Sequence, residues 1–182
     1  MAACVITTGV DAPDCGSRFS SPGINRTDIW IFNHSEVLAF TSSIVGEVDD
    51  LTMVATKVGF KLDVHKNTVF WGEELQTSEE AAPFYNQTFT ARIIATDTAT
   101  RNAIEDLVDV DLVIVAKQKN GKFIIVGEDA GVKLTEQTFE SGKIAGDAVG
   151  NMLVFTGQSN QKTRYFFDTS EAATEVALDA LL

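Results

Sequence analysis

The segment Val110–Gly131, VDLVIVAKQKNGKFIIVGEDAG, constrains this chain more than any other. Two apolar runs flank Asn120-Gly121, a pair that tolerates positive φ and is the strongest short-range signal for a β-hairpin with a tight type I′ turn. A hairpin resting on a single core alternates apolar and polar residues. Leu112-Val113-Ile114-Val115-Ala116 and Phe123-Ile124-Ile125-Val126 do not alternate. Both faces of the hairpin therefore need a cover. A neighbouring subunit on the second face is the favoured expectation. The alternative lies within the chain, with a helix at Asp97–Val108 over one face and another sheet over the other.

The rest of the chain reads as mainly β. DIWIF (Asp28–Phe32) reads as a strand and Leu51–Val54 as a shorter, weaker one. Gly59–Gln76 has strand character on both sides of Lys66-Asn67, with Phe60, Leu62 and Val64 on one face and Lys61, Asp63 and His65 on the other. FYNQTFTARIIAT places Tyr85, Gln87, Phe89, Ala91 and Ile93 on one face of a long strand of edge quality. Asp97 is suited to cap the helix that follows, where Ala103, Ile104, Leu107 and Val108 form a narrow apolar stripe. Further strands are expected near Lys133–Thr138 and Asn151–Thr156, and a short helix capped by Ser170 near the end. The expected fold is a β-sandwich or partly closed β-barrel with one flanking α-helix. It forms a single domain over residues 1–182, with an irregular Gly, Ser and Pro-rich arm over about 1–27.

The net charge of −12 bears directly on function. Such a surface repels nucleic acid and anionic membranes unless its cations cluster, and the densest cluster is only Lys117, Lys119 and Lys122. No apolar run approaches the ~20 residues of a membrane helix, and the first residues lack the basic and apolar regions of a secretory leader. Cys4 and Cys15 leave two readings open, a bridge closing a small loop or two free thiols. Neither His34 nor His65 stands at a zinc-site spacing to a cysteine.

Catalytic motifs are not found. SGKIAGDAVG lacks the Lys-Ser/Thr that follows the second glycine of a phosphate-binding loop. The acid pairs Asp49-Asp50, Glu73-Glu74 and Glu79-Glu80 read as solvated loop or strand-face residues, and no segment matches a calcium loop. The expectation is a chain with no catalytic residue, no metal site and no cofactor. Consecutive aromatics in VFWG and RYFF, lying on opposite strand faces, point instead to assembly.

The order of the helix TDTATRNAIEDL, the hairpin VIVAKQKNGKFIIVGEDAG and then KIAGDAVGNMLVFTGQ resembles the major tail tube subunits of tailed bacteriophages. Gly146-Asp147-Ala148-Val149-Gly150 fills the place of a glycine-aspartate turn. Leu153-Val154-Phe155-Thr156-Gly157 fills that of the final strand, with Gln158 where an acid is common. CVITTGVDAPDCGS also resembles the start of such proteins. The resemblance implies hexameric rings stacked into a tube that conducts DNA, a homo-oligomer in the virion tail after assembly in the host cytoplasm. Its partners are other tail proteins and passing DNA that is not specifically bound, with no membrane. Asp63, Glu73 and Glu74 are the candidates for the lumen wall. Lys117, Lys119, Asn120, Gly121 and Lys122 are the candidates for inter-subunit contact, with Lys119 and Lys122 opposed beside the turn and relieved by solvent at the tip or by a neighbour's acids. Residues 1–21 are expected to pack on the same or an adjacent subunit. A capsid decoration or head-completion protein and a monomeric binding module are the alternative readings.

Overall fold

A computed structural model describes residues 23–65, 68–77, 82–94, 97–141 and 149–182. The expectations for Cys4, Cys15 and residues 1–21 lie outside these. The elements are β1 (Ile24–Asn33), β2 (Val37–Thr41), β3 (Glu47–Val48), β4 (Asp50–Met53), β5 (Phe60–Lys61), β6 (Phe70–Gln76), β7 (Phe84–Ile93), α1 (Thr98–Asp106), β8 (Leu112–Gln118), β9 (Phe123–Val126), β10 (Lys133–Glu140), β11 (Gly150–Ser159), β12 (Tyr165–Phe166) and α2 (Glu171–Asp179). They build a six-stranded sheet in the order β3-β12-β9-β8-β1-β5, a four-stranded sheet β10-β11-β7-β6 and a small β2–β4 hairpin. All pairings are antiparallel except β12 with β3. The fold is a mainly β sandwich of open sheets with a flanking helix; among the described residues no sheet closes into a barrel.

The strands at the centre of the six-stranded sheet are apolar on both faces because each face has its own core. Ile29, Ile31, Ile114, Ala116, Ile124 and Val126 pack toward Phe89, Ala91, Leu153 and Phe155 of the four-stranded sheet, and Ile104 of α1 joins them. Their sequence neighbours Trp30, Phe32, Val113, Val115, Phe123 and Ile125 pack in a second core with Leu51, Phe166 and Leu178, flanked by Phe40, Met53 and Leu181. The period of two along a strand sends alternate residues to opposite layers. The expectation that a neighbouring subunit covers the hairpin's second face is therefore corrected: α2 and the β2–β4 hairpin cover it within the chain. Fully burying one aliphatic side chain such as Leu178, which has no exposed surface, contributes about 1.5–3 kcal/mol.

Three local expectations change. β1 begins at Ile24, so the arm expected to reach about residue 27 ends in a strand. β7 is not an edge, since it pairs with β11 on one side and β6 on the other. Only Phe60 and Lys61 of the alternating run Phe60–His65 form a strand. Beyond them the backbone amides of Leu62 and Val64 donate to the carbonyls of Ile29 and Arg26, and that of His65 to Arg92 of β7. This stretch is a crossover from one sheet to the other, which leaves Val64 buried but Phe60 exposed.

Both helices start where a side chain replaces the missing carbonyl partner. The Asp97 carboxylate accepts from the Thr100 amide at 3.1 Å, and Ser170 Oγ accepts from the Ala173 amide at 3.2 Å.

Candidate assembly surface

The hairpin tip is a three-residue loop, Lys119–Gly121, and not the expected two-residue type I′ turn. The Gln118 amide donates to the Lys122 carbonyl and the Gly121 amide to the Gln118 carbonyl. Of Asn120 and Gly121, only the glycine has positive φ, at 84°. A type I turn closed by a left-handed residue suits this loop length, and Asn120 Oδ1 secures it by accepting from the Lys122 amide at 3.1 Å. The extra residue also changes the lysines. Lys119 sits inside the loop, its amide donating to Gly23, while Lys122 faces Gln118, so the two are not opposed. The Lys122 ammonium lies 4.8 Å from the Tyr165 ring centroid.

Gly121→Ala is expected to destabilise the protein by about 1–2 kcal/mol, because a left-handed φ opposes any Cβ. The added atom also meets Glu171 Oε2 at 2.8 Å. The midpoint of urea unfolding measures the loss.

Lys117 is buried next to the hairpin tip, and its ammonium pairs with Glu171 and Glu175 of α2. Burial disfavours the charged lysine, but the bonds to the two carboxylates outweigh it and hold its pKa above the ordinary 10.5. The acids that meet Lys117 thus belong to its own chain. The sequence reading missed Glu171 and Glu175, although their spacing of four places both on one helix face.

The lumen candidates do not share a surface. Glu74 is exposed and pairs in register with Asn86. Glu73 points to the opposite face, where its Oε1 accepts from Thr163 N at 2.7 Å and lies 3.2 Å from Thr163 Oγ1. Asp63 stands on the crossover, 3.6 Å from Arg26 at a solvent-exposed position. Adjacent acids on a strand cannot face the same way.

The outer face of the four-stranded sheet carries hydroxyl and amide groups along its two central strands, with Phe70 and Glu74 of β6 and Glu136 of β10 on either side of them. The registers place Asn86 beside Gln158, Thr88 beside Thr156, Thr90 beside Val154 and Arg92 beside Met152. Thr138 follows on β10, next to Met152. Arg92 is buried under its neighbours and donates to Glu140 at 2.8 Å, which neutralises it. A shallow groove of about 560 Å³ runs between Phe70, Glu74, Asn86, Thr88, Thr156 and Gln158. The alternation of Thr88, Thr90 and Arg92 was legible in the sequence, but its alignment with Thr156 and Gln158 of β11 was not.

The sheet is bounded by β6 and β10, and among the described residues neither has a strand on its outer side. No group of three or more His, Cys, Asp or Glu among the described residues is placed to hold a metal ion. No protein-family model, curated protein or solved structure matches the chain.

Proposed function

We propose that the chain is a structural subunit that assembles edge to edge through its four-stranded sheet, as the subunits of a phage tail tube do. The observation that carries this reading is a sheet with a largely polar face between two long edges that no strand covers among the described residues, the seven residues of β6 and the eight of β10. Such edges are normally blunted by proline, lysine or a covering element. β10 has a register shift between Leu134 and Glu136 but no proline, and its sole lysine is its first residue, Lys133.

Strand direction favours the same reading. The sheet has four strands and every pairing is antiparallel. β6 and β10 therefore run in opposite directions, and a copy added by rotation joins its β10 to β6 in antiparallel register. Closure into a ring removes both edges. The hexameric number comes from the resemblance alone. In that ring the face of Asn86, Thr88 and Thr90 lines the channel, with Glu74 and Glu136 on it. Its buried arginine is neutralised, and the chain's charge of −12 keeps phosphate unbound.

Electron microscopy of the purified protein at high concentration tests the reading. Rings or tubes of uniform diameter are expected, and placing inward-pointing lysines at the exposed β10 positions, Gln137→Lys with Phe139→Lys, should abolish them. A chain that stays monomeric under all conditions behaves as a binding module and sinks the proposal. Double-stranded DNA titrated at low salt should show no binding; micromolar, salt-sensitive affinity excludes a sliding channel.

A further inference from the structure

When two copies join through β10 and β6, the residues on those edges decide how far one copy is displaced along the strands against the next. A row of paired residues crosses the four-stranded sheet from Phe70 of β6 through Thr90 of β7 and Val154 of β11 to Glu136 of β10. The register of the joint is set by the residue of the next β6 that stands opposite Glu136. Only every second residue qualifies, because a slip of one sets the inner face of one copy against the outer face of the other. On β6 the residues that share the face of Glu136 are Phe70, Gly72, Glu74 and Gln76.

Charge removes one of these. Glu136 opposite Glu74 sets acid against acid, and like charges directly opposed destabilise a strand pair. A slip of two residues beyond Gln76 fails in the same way, because it brings Glu140 opposite Glu74. Closure removes two more. The strands of a closed barrel tilt by about 35–45°, with a stagger to match. A row that starts on Phe70 and ends on Gln76 of the next copy climbs six residues while crossing four strands. At about 3.3 Å per residue and about 4.8 Å per strand the tilt is about 45°, whatever the number of copies. A row ending on Gly72 climbs two residues, and one ending on Phe70 climbs none. The tilt is then about 20° or less, too upright for closure.

We propose, resting on the edge-to-edge reading, that Glu136 of one copy pairs with Gln76 of the next, with Gln137 opposite Leu75 and Thr138 opposite Glu74. The Thr138 hydroxyl then has a carboxylate to donate to. Leu75 is 52% exposed and Phe139 56% exposed in the single chain, and this joint sets them diagonally beside each other, within reach across a strand pair.

Disulfide trapping reads the register. Opposed Cα atoms on antiparallel strands lie about 4.5–5.5 Å apart, close enough for a disulfide, and a slip of two residues takes them beyond about 7 Å. Full-length proteins with Cys4→Ser and Cys15→Ser each receive one cysteine, are mixed in pairs before assembly, and are then oxidised. Leu75, Gln137 and Phe139 are exposed, so the fold tolerates their replacement. Leu75→Cys with Gln137→Cys is expected to link about fivefold more than Glu73→Cys with Gln137→Cys or Leu75→Cys with Phe139→Cys. A dominant link in either comparison mixture overturns this register and leaves the edge-to-edge reading standing. Gln137→Cys that links to itself pairs β10 with β10 and overturns both. Rings that form with none of these links, or a parent that forms no rings or tubes, likewise overturn both.

Discussion

Trp30→Ala is expected to lower stability by about 3–5 kcal/mol, the range for deleting a large buried aromatic. Trp30 has no exposed surface, and its ring lies 6.0 Å from that of Phe123 in a tilted arrangement. Its indole N–H donates to Asp179 at 2.8 Å, so the side chain joins the six-stranded sheet to the end of α2. Trp30→Phe keeps most of the apolar area but loses this bond, and should cost about 1–3 kcal/mol. Urea unfolding followed by circular dichroism measures both. A loss below about 1 kcal/mol for the alanine variant contradicts the packing described here.

The Asp179 carboxyl adds a dependence on pH. Burial raises its pKa, but hydrogen bonds from Trp30 and Lys61 outweigh this and hold it below the ordinary 3.8. A group depressed in the folded state stabilises it above the unfolded value, and that contribution is lost as pH falls through the folded one. Trp30→Phe should therefore flatten the acid limb of the stability profile below pH 3.8, as should Asp179→Asn.

Lys117→Glu is expected to cost about 3–5 kcal/mol, because it sets a third carboxylate beside Glu171 and Glu175 at a buried position. The helix α2 should separate from the sheet, leaving Val113, Val115 and Phe123 uncovered. Faster protease cleavage around residues 168–175 and binding of an apolar dye report that separation. Lys117→Met is the control. It removes an ion pair whose attraction is largely offset by desolvation and screening, and should cost only about 1 kcal/mol. The two variants also differ from the parent at high pH. A lysine with a raised folded pKa contributes fully below its unfolded value and loses that contribution as pH rises through the folded one. The parent should thus weaken above pH 10.5, with that component absent in Lys117→Met.

The local sequence determined those features that depend on near neighbours. Asp97 and Ser170 mark helix starts because a side-chain oxygen satisfies an amide three residues on. Asn120-Gly121 marks a reversal because glycine accepts positive φ. The two-faced apolar arms announced two covering layers, since residues alternate across a strand. What supplied those layers depended on contacts distant in sequence. Trp30 and Asp179 meet across 149 positions and Lys117 and Glu175 across 58. Strand period carries no information about which distant element buries a face, so a neighbouring chain and the helix at Asp97–Val108 were equivalent candidates, and the fold placed that helix on the same face as the four-stranded sheet and α2 on the other. The same limit divided Asp63, Glu73 and Glu74 among three surroundings. It also hid the threonine face of the four-stranded sheet, which exists only because register aligns Thr88 with Thr156. Composition predicted an acidic chain; tertiary structure decided that this sheet face gathers threonines and amides on its central strands and carries its acids, Glu74 and Glu136, on the outer ones.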